Sequence, residues 1–259
     1  MGETHRQKRI IHISDNLTFS SIRMTFVLKH YLSALCIIAL TACSSTKPVT
    51  QQRAAVSKQL YTNDQAWAVK IDDGWFTAKT ITFGPYHTSS RTNGVLKDTS
   101  LQFIRDPKEP FSFNISSQDE KISIQTLYTS RIAFLSRPLP SFLSSLPPTT
   151  PLFYTLIKST GQPPLPRWEM ILKKPTYLEL NDNKTVGILR TEKEEIRVNA
   201  HNKFGIVNAY EKLTYEFRQH GQPVAAVMPG EQPSVWVSPS VSTTTRPVLA
   251  AAIAALLCR

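Results

Sequence analysis

The chain has 259 residues, with 30 Lys and Arg against 19 Asp and Glu and a formal net charge of +11. Its nine glycines are too dispersed for a glycine-rich phosphate loop and its three cysteines too few for a disulfide framework, so stability has to come from an apolar core. That length suits one domain or two small ones.

Met1 to Arg23 is polar and basic, with Arg6, Lys8 and Arg9, and would push everything after it far from the terminus. A start assigned too early accounts for residues 1–23, since Met24 offers a second one. Residues 24–42 have the anatomy of a secretory signal. A short n-region with Lys29 and His30 leads into an apolar run from Tyr31 to Leu40, broken only by Ser33, and the small residues Thr41 and Ala42 precede Cys43. The run is about half the length of a membrane span.

Leu40-Thr41-Ala42-Cys43 resembles the lipobox of bacterial lipoproteins. The resemblance implies cleavage between Ala42 and Cys43, a diacylglyceryl group on the Cys43 thiol, and acylation of the new amino group. Each buried methylene contributes about 0.8 kcal/mol, so one chain binds reversibly while two or more hold firmly. Ser44 stands where enteric-type bacteria place the aspartate of inner-membrane retention, so the resemblance implies a periplasm-facing anchor in the outer membrane.

Removal of residues 1–42 leaves 217 residues and takes away five cations and two anions, which lowers the net charge by three to +8. The remaining cations are scattered among anions. Lys173-Lys174 is the densest pair, and Glu192-Lys193-Glu194-Glu195 has the opposite sign. Such spacing predicts a solvated surface with some attraction to anionic headgroups or wall polymers. An extracytoplasmic address argues against nucleic acid. With Cys36 removed and Cys43 lipidated, Cys258 remains alone in an apolar segment, as a buried, inert thiol.

Residues 43–64 are rich in Ser, Thr, Gln and Lys, lack an apolar period, and read as a tether with a root-mean-square reach of about 25 Å. From residue 65 to 259 the pattern predicts one mainly β domain: an antiparallel sheet, sandwiched or curled into a partly closed barrel, with a C-terminal α-helix, or an α+β variant of it. Phe111, Phe113 and Ile115 alternate with polar residues, as do Ile122 and Ile124, then Ile196, Val198 and Ala200, then Leu213, Tyr215 and Phe217. Asp73-Gly74, Asn93-Gly94, Asp182-Asn183 and His220-Gly221 mark turns. Leu178 to Leu180 and Val186 to Leu189 read as strand, turn, strand, like Tyr215 to Phe217 and Val224 to Val227.

Residues 136–167 hold eight of the 18 prolines, which excludes a central strand across most of that stretch. Phe142, Leu143, Leu146 and Leu152 make it too apolar for a free linker, so it reads as an ordered crossover on the sheet, with room for a short helix at Leu152–Lys158. Threonines 243–245 can cap a final helix over Val248 to Leu257, with Pro247 in its first turn and Leu249, Ile253 and Leu256 on one face. A dozen residues rise about 18 Å, too short for a bilayer, so this is a core helix.

Chemistry leaves little trace. His87, His201 and His220 show no metal-ligand spacing, and His201 and His220 read as surface loop and turn residues. No G-x-S-x-G elbow is present. Asp72-Asp73-Gly74-Trp75 is the one acidic cluster, a cation or sugar site in principle but a hairpin turn by composition. Trp67, Trp75, Trp168 and Trp236 fit strand positions. Neither a cofactor nor a metal is expected. Three functions stay open: binding of an envelope protein or anionic polymer, carriage or sensing of an apolar small ligand within the sheet, and extracytoplasmic hydrolysis.

Overall fold

Period-two alternation becomes strand along most of the chain in the computed structural model, which describes residues 60–259 apart from 75–78, 96–103, 106, 119, 133–137, 160–164, 206, 207 and 209. Ala42, Cys43 and the signal therefore lie outside the described residues, as does Trp75. The first half holds β1 (Ala66–Trp67), β2 (Val69–Asp72), β3 (Thr80–Phe83), β4 (Tyr86–Thr88), β5 (Thr92–Asn93), β6 (Ile104–Arg105), β7 (Lys108–Ser116), β8 (Lys121–Thr129) and β9 (Arg131–Ile132). Helix α1 (Ser141–Ser144) is followed by β10 (Leu152–Ser159), β11 (Trp168–Lys173), α2 (Tyr177–Asn181), β12 (Thr185–Arg190) and β13 (Glu195–His201). The chain closes with β14 (Thr214–Gln219), β15 (Gln222–Met228), β16 (Ser234–Val237) and α3 (Arg246–Leu257).

Neighbours in sequence are neighbours in space. From β2 the sheet runs through β3, β4, β7, β8 and β10, then in unbroken order to β16, and ends on β1. Every pairing is antiparallel. The two edges, β1 and β2, are consecutive pieces of one extended stretch parted by Ala68. The chain thus brings its own edges together in a nearly closed barrel. Closure of this kind hides the unpaired N–H and C=O groups that an open edge would present.

One side chain in two faces the lumen. Ile122 and Ile124 of β8, Ile196 and Val198 of β13, and Tyr215 and Phe217 of β14 all join a single cluster with the residues of α3. A barrel of about eight strands is narrow enough for its own side chains to fill. This one is wider, and α3 fills it, packed against β8, β10 and β15. Pro247 to Leu257 are all buried. A helix that is buried all round must be apolar all round, and its five alanines keep it thin enough to fit between facing walls.

Several local expectations are overturned. Leu152–Lys158 is not helical but part of β10, an interior strand between β8 and β11. The flanking prolines stop at Pro151 and resume at Pro163, and Phe153, Tyr154, Thr155 and Ile157 between them are strand formers. The helix of that region is α1, whose Leu143 packs with Leu139, Phe142 and Leu146 on the outer face of β10, β11 and β12. Leu178 to Leu180 is not a strand, because Thr176 and Glu179 form a capping box that starts α2. The threonines before α3 make no side-chain cap at Thr245. Ser242 turns the chain instead, its carbonyl accepting from the Thr245 and Arg246 amides. The folded body also starts earlier than residue 65, since Leu60 is buried.

Turns follow their residues more closely. Gln219 faces Gln222 across His220 and Gly221, with φ of 50° and 80°. Two successive positive φ values are what a tight antiparallel hairpin requires. Asn183 turns with φ 50° before β12.

Candidate functional site

The outer face of β13 and β14 carries the most unusual chemistry among the described residues. Ile196, Val198 and Ala200 point into the lumen, so Arg197, Asn199 and His201 point out. By the same alternation Thr214, Glu216 and Arg218 of β14 point out beside them, and Trp236 does so on β16. Outward residues normally meet water. Here the segment that begins at Leu60 lies over them, leaving His201 3% and Glu216 0% exposed.

Tyr61 is the centre of this cover. Its hydroxyl donates to Glu216 Oε2 at 2.8 Å and lies 2.8 Å from His201 Nε2. A phenol has one proton, so His201 Nε2–H must be the donor in the second contact. The other Glu216 oxygen accepts from Arg218, which also donates to the Gly221 carbonyl at 2.7 Å. The Tyr61 ring meets His201, Phe204 and Trp236 edge-on at centroid distances of 5.8, 5.2 and 5.2 Å. Phe204 stacks on Trp236, and Lys203 Nζ stands 3.5 Å over the Tyr61 ring.

Burial, with Lys203 nearby, pushes His201 down to about 4 against the opposing pull of Glu216. The imidazole is therefore neutral at pH 7. Once Nε2 carries the proton, Nδ1 is a bare acceptor, and it is buried with no hydrogen-bond partner. Burial and the Glu216 charge both raise Tyr61, so its phenol stays protonated. Burial lowers Lys203, with Glu216 acting against it. Each polar group except Nδ1 is thus spent on holding Tyr61 in place, and the arrangement works as a latch between the start of the domain and its wall.

His201 is accordingly not the surface loop residue its neighbours suggest. It ends β13 in register with Thr214, and the asparagine and lysine that follow form the connection. Nothing local marks Glu216 or Arg218, since a strand residue between Tyr215 and Phe217 simply alternates. Tyr61 does leave a signal: it is an aromatic residue, next to Leu60, in an otherwise polar stretch.

The remaining candidates are dispersed. Asp72 ends β2, is exposed, and pairs with Lys70 at 2.9 Å, with Asp73 and Gly74 exposed beside it. His87 is exposed and bonds the Ser116 hydroxyl at 2.9 Å. His220 is an exposed turn residue. Trp67 packs on the core beside Phe83 and Tyr86, and Trp168 is buried in it. Burial pushes the Cys258 thiol up to about 11, away from the reactive thiolate. A second buried network lies beneath the proline-rich crossover, where Arg190 donates to Glu169 and to the Pro138 carbonyl at 2.8 Å each. Tyr154 donates to the same carboxylate at 3.2 Å. It holds the crossover to the wall. No group of three or more His, Cys, Asp or Glu among the described residues could hold a metal ion.

No protein family profile, curated protein or solved structure matches this chain.

Proposed function

We propose that this chain is a lipid-anchored protein of the bacterial cell envelope, attached through Cys43 to the outer membrane and facing the periplasm, that acts by binding an envelope protein or an anionic polymer. One observation supports the binding part above the others. Helix α3 occupies the lumen and the buried polar cluster is spent on Tyr61, so what the barrel offers to a partner is its outer surface. A net charge of +8 after signal removal favours an anionic neighbour. No cofactor or nucleic acid enters the proposal.

Carriage of an apolar ligand inside the sheet would require α3 to give way, uncovering a helix whose last eleven residues are all buried. Hydrolysis would require His201 Nδ1, the ring's bare acceptor, to reach a substrate from a side chain that is 3% exposed. Metabolic labelling with a fatty-acid analogue tests the anchor: the wild type becomes labelled and Cys43→Ala does not. Turnover in a hydrolase substrate panel, abolished by His201→Gln or Asp72→Asn, would overturn the binding reading.

A further inference from the structure

Three of the four exposed large apolar side chains among the described residues gather at one end of the barrel. Tyr177 and Leu178, 56% and 69% exposed, stand on α2 in the β11–β12 connection, and Tyr210, 50% exposed, stands in the β13–β14 connection. The two connections touch, since the Tyr210 hydroxyl reaches the Pro175 carbonyl at 3.5 Å and Lys174 Nζ lies 5.8 Å from the Tyr210 ring. Leu180 is the buried residue of α2 and sits in the core, so Tyr177 and Leu178 are left to the outside.

The two connections that carry these side chains are basic. Segments 173–184 and 202–213 carry Lys173, Lys174, Lys184, Lys203 and Lys212 against Glu179, Asp182 and Glu211. Glu179 is tied to Lys173, and Asp182 pairs with Lys184 at 3.0 Å. That leaves Lys174 and Lys212 on these connections beside the apolar residues, while Lys203 is turned onto the Tyr61 ring. At the opposite end the β12–β13 turn carries Glu192, Lys193 and Glu194, followed by Glu195. The chain from Cys43 arrives at the end that carries the two basic connections, because Tyr61 is held by His201 and Phe204 at the start of the β13–β14 connection.

From this we infer that the end of the barrel bearing Tyr177, Leu178 and Tyr210 docks on an anionic phospholipid surface, with those three side chains in the interfacial layer and the lysines among the headgroups. Tyrosine suits that layer, with an apolar ring and a polar tip. Leucine adds buried area, and each lysine near such a surface adds attraction to the anionic headgroups. A contact this small is weak for a free protein. The inference rests on the lipid-anchor reading, which supplies what is missing. On that reading the 16 residues between Cys43 and Leu60 serve as a tether, and a flexible tether of that length has a root-mean-square reach of about 20–24 Å and an effective concentration of millimolar order. Docking at one end also leaves the opposite end and the barrel wall turned toward other partners.

The test places an environment-sensitive fluorophore on the full chain, with Cys36→Ser and Cys258→Ser, at Leu178→Cys or at Lys193→Cys. Each is mixed with vesicles of phosphatidylethanolamine with or without phosphatidylglycerol. The probe at 178 should shift to shorter wavelength and be quenched by brominated lipid when phosphatidylglycerol is present, while the probe at 193 should stay aqueous. Replacing Lys174 and Lys212 with glutamine should reduce the response at 178 several-fold. An aqueous probe at 178 on a vesicle-bound chain overturns the inference, and so does an equal response at both positions. Protection of 178 in native envelopes but not on vesicles assigns the patch to a protein partner and overturns it as well. Flotation of the Cys43→Ala chain reports separately on the anchor: undiminished flotation sinks the anchor reading, while the spectrum at 178, read at excess lipid in both chains, reports on the patch alone.

Discussion

The Tyr61 hydroxyl donates to Glu216 Oε2 across 2.8 Å, joining the first described turn of the chain to a carboxylate 155 residues later in β14. The strand carries a buried charge because this contact and the Arg218 ion pair satisfy both of its oxygens. The latch therefore belongs to the stability of the barrel as well as to the path of the tether.

Tyr61→Phe keeps the ring contacts and removes the hydroxyl, leaving one Glu216 oxygen and His201 Nε2 without their partner. Denaturant unfolding should show a loss of about 1–3 kcal/mol. An unchanged midpoint would mean that the segment is not held by this bond.

His201 gives the stability a pH dependence of definite sign. Its folded value of about 4 lies below the ordinary value of 6.5. Between those two values the unfolded chain binds a proton that the folded chain does not, so stability falls as pH drops through 6.5 toward 4. The stabilisation is fully present above that window, and the loss across it is about 2–3 kcal/mol. His201→Gln should flatten this slope. Parallel curves for the two proteins from pH 7 to 4 would contradict the assignment.

Helix α3 is buried along its length from Pro247 to Leu257. Ile253→Ala should cost about 2–5 kcal/mol through the cavity it leaves. Ala252→Leu, where the side chain is fully buried, should cost about 1–3 kcal/mol by overpacking. Two midpoints equal to wild type would show that the helix does not fill the barrel.

Beneath the crossover, Arg190→Ala strands Glu169 in a place where it is only slightly exposed. The expected loss is about 3–5 kcal/mol. The paired replacement Arg190→Met with Glu169→Leu should recover much of it, since packing stands in for the ion pair. If the double variant is no better than the single one, the network acts through the Pro138 carbonyl rather than through the charge.

Gly187 faces the bulge between β12 and β13, and a Cβ there would fall against the Leu172 side chain and the Ile171 carbonyl. Gly187→Ala should destabilise because backbone cannot yield as a side chain can, and circular dichroism melts would register it as a lowered Tm.

Strands β7, β8, β13 and β14 are legible in the sequence because each buries one face, and that leaves a period of two whatever the partner. The tight hairpin at His220-Gly221 is legible because few residue pairs accept its backbone. Helix α3 is legible as buried from its run of apolar residues, and its terminal position and alanine content are written there too. The helix at Leu178–Leu180 is written locally too, in the Thr176-x-x-Glu179 capping box, and Leu152–Ser159 is strand through its own strand formers as well as through β8 and β11 on either side. Other features were decided by tertiary structure. Whether the sheet closes depends on β1 and β2 being two pieces of one stretch, a relation between edges that no window of residues contains. The latch is the clearest case. His201 and Glu216 are ordinary where they stand in the chain, Tyr61 stands out only as an aromatic in a polar stretch, and they become a site because the barrel wraps β13 and β14 under the segment that leads into it. Hydrogen bonds between distant residues carry no sequence period, so only the folded wall could bring them together.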